Sequence, residues 1–149
     1  MPELPEVETV RSGLAPSLTG ATVESIEILD VRSLKRHAGG PLDFVNQLTG
    51  RKILGVVRRG KFLWMPLESR IGDLGYGTEA GPAPLALVGH LGMSGQMLLR
   101  HPGHADDKLT RVIIKVTEAD GTACEFRFVD QRLFGSLAID VLVPTSDGK

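Results

Sequence analysis

Apolar residues recur at spacings of three and four through the first segment. Leu4, Val7, Val10 and Leu14 therefore fall on one face of a helix. Pro5 suits the first helical turn, where a missing N–H costs nothing. Glu6 and Glu8 set negative charge at the positive end of the helix dipole. Pro16 and Gly20 are stop signals, so the helix is expected to end near Ala15.

Beyond Gly20 the period shortens to two. Residues 22–29 alternate around Val23, Ile26 and Ile28, and 52–57 and 61–67 give two more candidate strands, joined through Arg58-Arg59-Gly60 as a hairpin turn. Residues 85–88, 96–100, 111–117 and 123–129 continue the series, with Asp120-Gly121 a strong hairpin signal between the last two. A second short helix fits 42–48, after Pro41 and before Thr49-Gly50. Residues 69–84 carry four glycines and two prolines with little periodicity, and read as a long surface loop. No internal repeat is present. The fold class expected is α+β: a β-sandwich of about eight antiparallel strands with an N-terminal helix and one further short helix.

A chain of 149 residues suffices for one core without staples. Its single thiol, Cys124, excludes an internal disulfide framework and any site built from several cysteines. No apolar run approaches the roughly 20 residues of a spanning helix, and the acidic start MPELPEVETV lacks the apolar region of a secretory signal. The expectation is a soluble cytoplasmic domain. With 17 basic and 18 acidic residues the chain is not a strongly basic nucleic-acid binder. The total conceals clusters, however: Arg32, Lys35, Arg36 and His37, then Arg51, Lys52, Arg58, Arg59 and Lys61.

Four places could carry chemistry. Removal of Met1 would leave Pro2 with a free secondary amine, nucleophilic when neutral and able to form an iminium with a sugar carbon, and Glu3 beside it could move protons. Read locally, the same residues are an ordinary fraying chain end. Arg58, Arg59 and Lys61 around one turn could hold phosphates, or be a solvated hairpin with snorkelling side chains. The run from His90 to Gly95 offers Met93 between two glycines, either core filler or an exposed wedge. The run from Asp130 to Gly135 carries Arg132 and Phe134, or is a plain strand connection.

In order, these four pieces bear a resemblance. The opening MPELPEVET, then RRGKFLW at 58–64, HLGMSGQ at 90–96 and FVDQRLFG at 128–135 resemble the bacterial formamidopyrimidine-DNA glycosylase family from residue 1 to about 140. The related endonuclease VIII branch shares Met-Pro-Glu but continues Gly-Pro-Glu, so the first branch fits better. The resemblance implies a base-excision repair enzyme, a glycosylase and AP lyase acting on oxidised purines such as 8-oxoguanine and formamidopyrimidines in duplex DNA. It implies Pro2 as nucleophile at C1′, Glu3 as proton carrier, Glu6 as a shaper of the pocket, and Lys61 and His90 at phosphates. The iminium would acidify the C2′ proton, so that β- and δ-elimination cut the strand. Met93, Arg132 and Phe134 would fill the space a flipped base leaves, with Arg132 donating to the orphaned cytosine. Leu133 stands where many members carry a second basic residue.

The resemblance further implies a domain order. Residues 1–140 would be the catalytic N-terminal domain and 141–149 the start of a linker. The helix–two-turn–helix module and four-cysteine zinc finger of full members would lie outside this chain. No cofactor is expected in these residues, and one zinc in the finger of the full-length parent. The partner expected is double-stranded DNA with oxidised purines or abasic sites, no membrane is involved, and the chain is expected to be monomeric and associated with the bacterial nucleoid. A different class stays open: a non-catalytic DNA-binding or interaction module on the same fold.

Overall fold

The computed structural model describes residues 4–35, 37, 39–68, 85–92, 95–103, 105, 108–130 and 135–141. The elements run α1 (Leu4–Leu18), β1 (Thr22–Ile28), a 3-10 turn (Val31–Leu34), α2 (Gly40–Leu48), β2 (Val57–Arg59), β3 (Phe62–Pro66), β4 (Leu85–His90), β5 (Gly95–Arg100), β6 (Thr110–Thr117), β7 (Ala123–Asp130) and β8 (Ser136–Val141). Two four-stranded sheets form, ordered β1-β6-β7-β5 and β2-β3-β4-β8, with every pairing antiparallel. This is the expected sandwich with two helices. Loop 69–84 lies outside the described residues.

The core lies between the sheets. Val112, Ile114, Val116, Phe126 and Phe128 line one inner face, and Leu63, Met65, Leu85, Leu87 and Leu137 the other, all buried. α1 adds Val7, Leu14 and Leu18 to the same core, with Val10 packed against it. Leu18 explains why α1 outruns its predicted end at Ala15. The stripe continues one more turn to this fully buried side chain, and Pro16 is tolerated inside the final turn. Gly20, at φ +84°, then ends the helix in the left-handed conformation.

Three further expectations are corrected by the pairing. Residues 52–57 do not form a continuous strand; only bridges at Lys52 and Ile53 occur, and the ladder begins at Val57. Backbone groups of this segment are shared between two neighbours. Ile53 N–H donates to Ala21 C=O at 2.7 Å, while Leu54 N–H donates to Pro66 C=O at 2.8 Å. The hairpin turn falls at Gly60-Lys61, because Arg59 already pairs with Phe62. Gly60 at φ +60° supplies the conformation a two-residue turn needs at its first position. Finally, β8 was not located from the pattern, and Val141, expected to open a linker, still pairs with Leu85.

The basic cluster at 32–37 does not form a basic face in the described residues. Asp30 accepts from Arg32 N–H at 3.0 Å and from the Arg32 guanidinium at 2.8 and 3.0 Å, with Arg111 at 3.3 Å. His37 is buried, its Nε2 2.7 Å from Asp43 Oδ2 and its Nδ1 accepting Ile139 N–H at 3.1 Å, so it ties the 3-10 turn region to α2 and β8. The Arg32 side chain, then its main-chain N–H, holds the Asp30 carboxyl down at about 2. A depressed carboxyl stabilises the fold above its ordinary value of 3.8, and that contribution disappears as pH falls toward about 2. An NMR carboxyl titration is expected to place the Asp30 midpoint near 2, and Arg32→Ala to return it toward 3.8.

Candidate nucleic-acid interface and catalytic end

Alternation along a strand sends neighbouring side chains to opposite faces, and this separates the cations of the β2–β3 hairpin. Arg58 pairs with Leu63 in the register and turns toward α1, where its Nε lies 3.4 Å from Glu8 Oε1 while its Nη1 donates to Gly60 C=O at 3.1 Å. Arg59 pairs with Phe62 and stacks its guanidinium over Trp64, 5.0 Å from the ring centroid. Lys61 is exposed at the turn itself. The hairpin therefore uses Arg58 to hold the helix, sets Arg59 against Trp64 on the opposite face, and carries Lys61 exposed at the turn.

That grip fixes α1 against the hairpin. Glu8 accepts from Arg11 Nε at 2.9 Å and Nη2 at 2.6 Å, and Arg11 also donates to Val56 C=O at 3.4 Å. The Arg11 guanidinium, with Arg58 behind it, holds the Glu8 carboxyl below the usual range. The carboxylate thus stays charged between two cations, and α1 packs against β2, β3 and β5. Glu6 lies in the first turns of this helix. Pro2 and Glu3 lie outside the described residues, as do Met93, Arg132 and Phe134.

His90 ends β4, directly opposite Phe62, and the two rings stand 4.7 Å apart at 59°. Gly92 N–H donates to His90 Nδ1 at 3.0 Å, so the proton of the neutral ring is on Nε2. His90, Phe62 and Trp64 share the outer face of their sheet, since Leu63 and Met65 point into the core.

Two connections then cross between the sheets at one end of the sandwich. Residues 91–94 lead from β4 to β5, and 131–135 lead from β7 to β8. Register joins their ends: His90 pairs with Ser136, and Gly95 with Asp130. Glycine is required at both contacts. A Cβ on Gly95 would stand 2.2 Å from Leu91 O, and one on Gly135 would stand 2.5 Å from His90 O and 2.9 Å from Leu91 O. At Gly135, segments about forty residues apart in the chain thereby approach backbone to backbone. The bonds of Arg11 to Glu8 and Val56, the Arg59–Trp64 stacking and the Asp130–Gly135 bond are not legible as such in the sequence. Of these only the Glu8–Arg11 spacing of three was a readable signal.

Among the described residues, no three His, Cys, Asp or Glu side chains gather as metal ligands. Nor is any described helix long and apolar enough to cross a membrane.

Comparison with known proteins agrees with this geometry. A family model described as the formamidopyrimidine-DNA glycosylase N-terminal domain matches residues 1–137. The formamidopyrimidine-DNA glycosylase of Leifsonia xyli is 50% identical over 148 residues, covering 99% of this chain and 46% of the relative. That of a Nocardioides species is 45% identical over 139 residues, 93% of this chain and 42% of the relative. Lactococcus lactis Fpg in complex with abasic-site DNA is similar at a TM-score of 0.73 and 27% identity, over 94% of this chain and 44% of that one. The same enzyme with DNA containing FAPY-dG gives a TM-score of 0.74 at 27% identity, over 93% and 44%. The chain thus spans about half the length of the curated relatives it matches. With an ordered set of motifs, a two-sheet fold and a family match over nearly its whole length, the chain belongs to the formamidopyrimidine-DNA glycosylase N-terminal domain family.

Proposed function

We propose that this chain is the catalytic N-terminal part of a base-excision repair enzyme that removes oxidised purines from duplex DNA and cleaves the resulting abasic site. The observation that carries the reading is the end of the sandwich where both intersheet connections are fastened together. One connection carries Met93 and the other Arg132 and Phe134, the side chains suited to fill a vacated base position and to meet the orphaned cytosine. The hairpin with Lys61 and the start of α1 are braced against each other through Arg58 and Glu8. His90 Nε2–H and the Lys61 ammonium are the donors suited to phosphates.

In the proposed reaction the Pro2 nitrogen, freed by loss of Met1, attacks C1′ and the damaged base leaves. Glu3 supplies and removes the protons of base loss and ring opening. The iminium withdraws electrons from C2′, whose proton is lost as the 3′ phosphate departs; a second elimination releases the 5′ phosphate, and water then frees the amine. Glu6 shapes the pocket. The rest of the grip on DNA, with one zinc, belongs in this reading to the part of the relatives that this chain does not span. The work is done in the bacterial cytoplasm, at the nucleoid, by a monomer.

The test is borohydride trapping on a duplex with an abasic site. A covalent adduct is expected at high protein, together with weak duplex binding at physiological salt. An intact mass lacking Met1 accompanies it. No adduct at any concentration defeats the catalytic reading in favour of a non-catalytic binding module, and tight binding at physiological salt defeats the divided grip. Lys61→Ala is expected to weaken binding on all sequences alike, and to lower the salt slope by about one.

A further inference from the structure

We infer that Phe62 is a positioning residue for His90: its ring and the Gly92 N–H together fix the plane and the tautomer of the imidazole, and so the direction in which Nε2–H is offered. This deepens the proposed contact of His90 with a DNA phosphate and rests on it. The register sets the two residues directly opposite each other, on β3 and β4. Facing side chains on one side of an antiparallel sheet are close enough to pack. The two rings stand 4.7 Å apart at 59°, within the range of favourable ring pairs.

The row across the sheet is Arg59, Phe62, His90 and Ser136, one residue from each strand. Arg59 carries its guanidinium out of this row and over Trp64, two residues further along β3. On the other side of His90 stands Ser136, which is small and buried. Phe62 is therefore the one large ring of the row beside the imidazole. A histidine on a half-buried sheet face has two freedoms to lose, rotation of its ring and choice of tautomer. Packing against Phe62 restricts the first. Gly92 settles the second, since its N–H donates to Nδ1 at 3.0 Å and an accepting nitrogen carries no proton. Gly92 holds that position at φ +63°, a conformation that suits glycine. The two restraints depend on each other. A ring nitrogen accepts in the plane of its ring, and that plane is the one Phe62 packs against. A donor held in this way has already lost the freedom that a mobile one must give up on binding.

The experiment compares the chain with Phe62→Ala, Phe62→Tyr, His90→Ala and the double alanine variant in two measurements. The first is binding to a duplex with a tetrahydrofuran abasic analogue, at low salt. Phe62→Ala and His90→Ala are each expected to weaken binding roughly tenfold, about the scale of one hydrogen bond to a charged group. The double variant is expected to bind no more weakly than His90→Ala, because both changes remove the same contact. Phe62→Tyr, which keeps the ring, restores binding. The second is nitrogen NMR of the imidazole without DNA. The parent and Phe62→Tyr are expected to show one tautomer, with an accepting Nδ1 and a protonated Nε2. In Phe62→Ala the two signals should move toward a common average, and Gly92 amide exchange should quicken roughly tenfold. Additive losses in the double variant overturn the inference, as does a Phe62→Ala variant with parent binding or an unchanged tautomer. If His90→Ala binds as the parent does, the phosphate reading of His90 fails, and the NMR alone decides whether Phe62 places the ring. Should Phe62→Ala not fold, Phe62→Leu, which keeps apolar bulk without a ring, takes its place with the same expectations.

Discussion

One extra residue ahead of Pro2, for which retained Met1 suffices, is expected to abolish borohydride trapping. The loss should be roughly a thousandfold or more, the scale at which removal of a catalytic nucleophile is felt. The cause is electronic. Once acylated, the proline nitrogen is a tertiary amide whose lone pair is delocalised into the carbonyl, so it can neither attack C1′ nor form an iminium. The pH dependence has a definite sign. Terminal amines titrate near pH 8, so trapping by the free amine should rise with pH toward that value as the neutral form accumulates. Glu3→Gln separates the two roles. Adduct formation on a pre-formed abasic site should persist, whereas release of an oxidised base should fall by about a hundredfold or more with loss of the proton carrier. Gel quantification of the trapped adduct and of excised base measures both. Trapping that survives the extra residue would move the nucleophile to another amine, with Lys61 the first to examine.

Glu125→Ala is expected to be among the most destabilising single substitutions, although it lies away from the proposed site. Glu125 and Arg127 alternate with the core residues Cys124, Phe126 and Phe128 along β7, and so face the other side of the sheet. That side is covered as well: both charged residues are buried, and Arg127 Nη1 donates to Ala105 C=O at 2.9 Å. Glu125 Oε1 accepts from Arg127 Nε at 3.1 Å and Nη2 at 2.8 Å. Removing the carboxylate breaks a buried ion pair held by two hydrogen bonds, which costs about 3–5 kcal/mol. Against a total stability of about 5–15 kcal/mol this is a large share. Replacing both residues, as in Glu125→Leu with Arg127→Met, removes the buried pair as a whole and should recover part of the loss. Urea denaturation of the two variants tests this, and a single variant as stable as the parent would refute it.

How far such features could be read from the chain depends on how local they are. The Val7–Leu14 stripe, the alternation in β1, β5, β6 and β7, and the Asp120-Gly121 turn were all legible, because each is written within a few residues. The turn illustrates why: Asp120 Oδ1 accepts Thr122 N–H at 2.9 Å, and Gly121 takes φ +91°. Residues 52–57 misled because their apolar character serves burial of Ile53 and Val56 while their hydrogen bonds go to two different neighbours. β8 escaped because its pairing with β4 is specified by the partner strand. Arg51 counted as part of a basic cluster, yet it is buried and donates to the carbonyls of Gln47 and Glu68.

By itself, the sequence determined both helices and most of the strands, the single cysteine, the near-neutral charge and the four motifs whose order points to one family. Only the tertiary structure decided which motifs meet. Arg58 reaches Glu8 across fifty residues, Arg111 reaches Asp30 across eighty-one, and Gly135 lies against His90 O. The reason is that side-chain period follows from local backbone geometry, whereas strand register is set by contacts between distant segments, where a one-residue slip would turn every side chain to the wrong face. The charge near zero likewise conceals an arrangement that only the fold reveals: Arg58 bonds to Glu8 on one face of the hairpin, while Arg59 lies over Trp64 on the other.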